Sequence, residues 1–105
     1  MKSLDDLQDW YANNCDGTWE HGGGVRVETL DNPGWSLDVD LPASLAKRTF
    51  SQVEVNRTET DWLWCEVVNN TFQARGGPRN LSEMIDTFLT WAAVIEPVTS
   101  PATAR

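Results

Sequence analysis

The sequence predicts an α+β domain: an antiparallel sheet of about five strands, with an N-terminal and a C-terminal helix packed on one of its faces. Three observations predict it. Apolar side chains recur at helical spacing near each end of the 105-residue chain, alternate with polar ones between residues 25 and 75, and are punctuated there by asparagine, proline and glycine. Two helices flanking an antiparallel meander bury their stripes most simply on the same face, which leaves the other face open.

Leu4, Leu7 and Tyr11, with Trp10 beside them, form the stripe of a helix over residues 4–14, opened by Ser3 and Asp6 in the spacing of a capping box. Asn13-Asn14 and then Asp16-Gly17 end it, and a polar loop runs to Gly24. Val25, Val27 and Thr29, then Trp35, Leu37, Val39 and Leu41, alternate with polar residues as two half-buried strands. Asn32-Pro33-Gly34 between them has the order of a type II turn.

A third strand is expected over 49–57, with Val53 and Val55 on one side. A second hairpin pairs 61–68 with 71–75 through Asn69-Asn70, because asparagine tolerates the left-handed backbone of a tight turn. Gly76-Gly77-Pro78 breaks the sheet. Asn80 with Glu83 then reads as a helix start, and Leu81, Met84, Ile85, Phe88, Leu89 and Ala92 share one face of a helix over 81–94. The expected organisation is one domain over 1–96 and a disordered tail over 97–105 that has little to bury.

Charge narrows the class of partner. Sixteen acids against eight bases give a net charge of -8, so nucleic acid and anionic membrane surfaces would repel the chain. The excess is uneven: residues 1–40 hold nine acids and two bases, whereas residues 41–105 hold seven and six. A directed acidic face for a basic protein partner follows, with Asp38 and Asp40 on one strand face and Asp16 and Glu20 in the polar loop. The N-terminus lacks the apolar core of a signal peptide and no apolar run approaches a membrane span, so a cytoplasmic protein is expected. In that compartment Cys15 and Cys65 read as free thiols.

No assembled catalytic or metal set is legible. His21, six residues after Cys15, makes a Cys/His pair conceivable, but Cys15 follows a helix C-terminus and is flanked by Asp16 and Glu20, a setting that disfavours a thiolate. Structural zinc needs four close Cys or His ligands, and the chain has three such residues, so no metal or cofactor is expected. Gly22-Gly23-Gly24 and Gly76-Gly77 read as turns, since neither carries the lysine of a phosphate loop.

Tryptophan is the unusual feature, with six in the chain. In the strand 61–68, Leu63, Cys65 and Val67 form one apolar side, and Trp62 and Trp64 the other. Either the strand is buried on both faces or Trp62 and Trp64 stand on the open face as binding anchors. Trp19, in the acidic loop, is a further anchor candidate.

Asp9-Trp10-Tyr11, the run Cys15 to His21, the run Thr29 to Trp35, and Gly76-Gly77-Pro78 followed by Leu81 together resemble the immunity protein 53 family of bacterial polymorphic toxin systems, over roughly residues 4–93. The resemblance implies a cytosolic antidote that binds and inhibits a cognate protein toxin. A basic nuclease is one candidate target, because an acidic antidote would be steered to it. The expected partner-binding residues are Asp16, Trp19, Glu20, His21, Asp38, Asp40, Trp62 and Trp64. Two rival readings are a sulfurtransferase carrying its persulfide on Cys15 and a carbohydrate-binding module stacking sugars on Trp62 and Trp64.

Overall fold

In the computed structural model, which describes residues 2–93, two hairpins lie side by side in one antiparallel sheet. The elements are α1 (Lys2–Asn14), α2 (Trp19–Gly22), β1 (Val25–Leu30), β2 (Gly34–Asp40), β3 (Val53–Asn56), β4 (Trp62–Val68), β5 (Thr71–Gly76) and α3 (Leu81–Ala93). The strand order is β1-β2-β5-β4-β3, so the last of the described strands sits in the middle. The α+β architecture expected above is the one observed. The tail expected over 97–105 lies outside the described residues.

Register divides the sheet into two unlike faces. Val39, Phe72 and Val67 share a row with Val25, and Leu37, Ala74, Cys65 and Val53 share a row with Val27. This face is the core. Leu37, Val39, Leu63, Cys65, Phe72 and Ala74 are buried there beneath Met84, Ile85 and Phe88 of α3. Each large side chain taken out of water in this way stabilises the fold by roughly 1.5–3 kcal/mol. α1 packs against α3 and buries Leu7, and the Trp10 and Phe88 rings pack edge to face with their centroids 4.8 Å apart.

The turns carry the local signals. Asn69 and Asn70 both take positive φ, at 54° and 62°, which joins β4 to β5 in the two-residue turn that asparagine permits. Gly17 takes a φ of 90° beyond the end of α1. Asn80 is buried and begins α3: its carbonyl accepts from the Met84 N–H at 3.0 Å, and its side-chain amide donates to Asp61 and Glu83.

Four local expectations change. α1 starts at Lys2, so Ser3 is inside the helix, and its hydroxyl donates to Asp86 across to α3 at 2.6 Å instead of capping its own turn. Gly34 opens β2 without positive φ, so the first hairpin does not close through a type II turn. A glycine is needed there for space: a Cβ would collide with the Gly76 carbonyl of the neighbouring strand. The strand expected over 49–57 shrinks to Val53–Asn56, because the Thr49 carbonyl is taken by the indole N–H of Trp91 at 2.8 Å. The polar loop before β1 contains the short helix α2, whose spacing is too brief to register as a periodic pattern.

Candidate partner-binding surface

The sequence-derived candidates fall in two adjoining places, the α2 corner and the open face of the sheet. At the corner the acids bond backbone N–H groups at the surface. The Asp16 carboxylate accepts from the Thr18 and Trp19 N–H groups at 2.9 and 3.0 Å, capping the start of α2. Glu20 reaches back from α2 to accept from the N–H groups of Asp16 and Gly17 at 2.9 and 2.7 Å. Each carboxylate therefore holds the backbone on which the other stands. His21 is exposed at the same corner.

Trp19 is half-buried and ties this corner to the body. Its indole N–H donates to the Asp40 carbonyl at 3.1 Å, and its ring lies 5.6 Å from Trp10 and 5.7 Å from Tyr11. Beside it a shallow cleft of about 350 Å³ is lined by Thr18, Gly23, Asp40 and the Asn69-Asn70 turn, among others. Asp40 is the hinge of this arrangement. Its carboxylate accepts two guanidinium contacts from Arg26, at 2.8 and 3.2 Å, and the Gly24 N–H at 3.0 Å.

The open face collects the remaining candidates. Asp38 lies on β2 and pairs with Arg75 of β5 at 2.9 Å, while Arg75 stands directly opposite Trp64 on β4. Asp38, Arg75, Trp64 and Trp62 thus form one continuous surface. Glu28, Asp38, Asp40, Glu54 and Glu66 share this face with the bases Arg26 and Arg75, so the face carries net negative charge even after its ion pairs are made. Arg75 and Arg26 were missed from the sequence. Strand alternation puts both on the polar side, but only the β1–β2 and β2–β5 registers show which acids they meet.

The six tryptophans now separate. Trp10 and Trp19 make ring contacts, Trp35 donates to the Pro78 carbonyl at 3.0 Å, and Trp91 donates to Thr49 and packs on Phe50 and Phe88. Among the described residues, Trp62 and Trp64 make neither an aromatic ring contact nor an indole hydrogen bond. Both are half-buried on the face opposite the helices.

The thiols stand apart from each other. Cys65 is buried in the core, and desolvation pushes its thiol up to about 12. Cys15 is exposed and its Sγ donates to the Tyr11 carbonyl at 3.3 Å. Among the described residues no group of His, Cys, Asp and Glu is placed to hold a metal ion, and no helix is long and apolar enough to cross a membrane.

Acid should undo the corner and the α3 start together. Backbone N–H donors hold Asp16 and Glu20 below their ordinary values of 3.8 and 4.5. The Arg26 guanidinium does the same for Asp40, Asn80 and Arg57 do so for Asp61, and Arg57 does so for Glu83. A carboxyl with a depressed folded-state pKa contributes stability above its unfolded pKa and loses it as pH falls through the folded one. Protonation also relieves the net negative charge, but at about 0.15 M salt exposed charges beyond roughly 8 Å are largely screened. The thermal midpoint should therefore hold level from neutral pH to about 5 and drop below about 4. Calorimetry across that range checks it, and a midpoint that climbs on acidification contradicts it.

The sequence model of the immunity protein 53 family matches residues 4–93. The chain belongs to the immunity protein 53 family. No curated protein and no solved structure matches it. The matched span of this immunity protein reaches from the first turn of α1 to the end of α3, so the α2 corner and the open face are both parts of the family domain. Family membership implies a toxin as the partner.

Proposed function

We propose that this immunity protein neutralises a basic toxin of a polymorphic toxin system in the cytoplasm by binding it on the open face of the sheet, with Trp62 and Trp64 as anchors. One observation carries the choice of surface: among the described residues they are the two tryptophans that no ring contact or indole hydrogen bond engages, and none of the described helices covers their face. Large aromatics with an indole N–H still to satisfy are the groups that dominate protein interfaces. The acids around them suit a basic partner and suppress binding to nucleic acid.

Within this reading Asp38 and Asp40 act as members of ion pairs that fix the face, and Asp16, Glu20 and Trp19 hold the corner beside it. His21 is exposed at the rim. The role is one of binding without catalysis. Cys15 directly follows the C-terminal end of α1 with its Sγ on a backbone carbonyl, whereas thiols are activated at helix N-termini or beside positive groups.

The test is co-expression with the toxin domain encoded beside the gene. Co-purification and survival of the cells support the proposal; a toxin domain that neither binds nor is neutralised refutes it. If the partner is basic, the association rate should fall on the order of tenfold or more between low and about 1 M salt, with a smaller change in dissociation. Stopped-flow mixing at several salt concentrations reads this directly, and a rate indifferent to salt removes the electrostatic part.

A further inference from the structure

The sheet ends on two unlike edges. β3 is only four residues long, whereas β1 runs for six, Val25–Leu30, without proline or glycine, and no strand lies beyond it among the described residues. The Asp40 N–H donates to the Gly24 carbonyl at 3.0 Å, and β1 opposes Arg26 to Asp38 and Glu28 to Ser36. Antiparallel pairs alternate, so the even-numbered residues of β1 bond to β2. The N–H and C=O groups of Val25, Val27 and Thr29 therefore point outward, the arrangement that invites another strand.

The same residues present apolar side chains beside α1. The exposed large hydrophobic residues among those described are Leu4, Tyr11 and Val27, at 45, 40 and 41 % exposure. All line one groove of about 380 Å³ between α1 and β1, with Leu7, Gln8, Gly24 and Val25 completing it.

We infer that a second copy of the chain occupies this edge, its β1 running antiparallel to the first about a two-fold axis normal to the sheet at Val27. That register brings Val27 to Val27 and Val25 to Thr29 of the other copy, so every outward N–H meets an outward C=O. It also sets Arg26 opposite Glu28 twice, on the open face. Sliding the copies by two residues opposes Arg26 to Arg26 in one direction and Glu28 to Glu28 in the other, which like charges disfavour. Glu28 has no ion-pair partner among the described residues, and Arg26 keeps guanidinium donors beyond those given to Asp40. Beneath the pair, Leu4, Tyr11 and Val27 of the two copies cover one another. The product is a ten-stranded sheet whose helices lie on one side and whose open face is continuous. This inference does not depend on the toxin reading.

Sedimentation of the full chain over a dilution series, near 0.15 M salt to screen the -8 charge on each copy, tests it together with hydrogen exchange. The expected result is twice the chain mass at high concentration, with slow amides at Val25, Val27 and Thr29 that speed up on dilution. Val27→Pro, whose lost N–H faces outward and is unused within one copy, should be monomeric with an unchanged circular dichroism spectrum. Glu28→Arg, an exposed change that leaves the fold intact, should weaken the dimer by about tenfold or more. A single-chain mass at every concentration overturns the inference. So does a dimer that survives both substitutions, or one whose three amides exchange fast. Amides slowed only when a toxin domain is added also overturn it, because the edge would then belong to the toxin.

Discussion

Replacing Phe88 by alanine should lower the unfolding free energy by about 3–5 kcal/mol, the range for emptying a large aromatic site in a core. The side chain has no solvent exposure and lies where α1, α3 and the sheet converge, with Trp10 at 4.8 Å, Phe72 at 5.0 Å and Trp91 at 6.3 Å. These neighbours cannot slide in to fill the gap. Trp91 is held through its indole N–H to Thr49, and Trp10 is braced on Trp19, itself bonded to Asp40. Since a domain of this size is stable by only about 5–15 kcal/mol, the loss is a large fraction of the total. Urea titration measures the difference. A loss below about 1 kcal/mol would mean the aromatic cluster repacks and is less constrained than its geometry implies.

The second large effect concerns the partner. Changing Trp62 and Trp64 together to alanine should weaken toxin binding by about a hundredfold or more, because interface tryptophans typically carry at least about 2 kcal/mol each and roughly 1.4 kcal/mol is tenfold. The fold should lose less, on the order of 1–2 kcal/mol per side chain, since both are half-buried on the face away from the core. Calorimetric titration with the toxin domain, alongside a melting curve for each variant, separates the two. Binding unchanged in a folded double variant would move the interface elsewhere, and the α2 corner around Trp19 and Asp40 would be next to mutate.

How far the fold was legible follows from the range of each interaction. Asn69-Asn70, the Asn80 helix start and the stripe of α3 are local, and each was readable because a few adjacent residues determine it. Trp62 and Trp64 were placed on the second side of their strand by alternation alone, though alternation could not say whether that side was covered. Non-local pairing was hidden. Ser3 looks like a cap until Asp86 appears beside it, and Gly34 looks like a turn residue until the Gly76 carbonyl is seen against it. The arginine partners of the strand acids were hidden in the same way: the sequence reading names Asp38 and Asp40 as members of an acidic face, and the register shows Arg75 and Arg26 against them.

The central position of β5 has a consequence for synthesis. Each hairpin can close by itself within microseconds, but the seam between β2 and β5 joins residues on the order of thirty to forty positions apart and sets the slow step of folding. An emerging N-terminal half therefore exposes Leu37 and Val39 with nothing to cover them. The side chains that complete the core, Met84, Ile85 and Phe88, are among the last of the domain to leave the ribosome. On the proposed reading, protection begins only once α3 has been made, and a chain terminated before it is expected to give none.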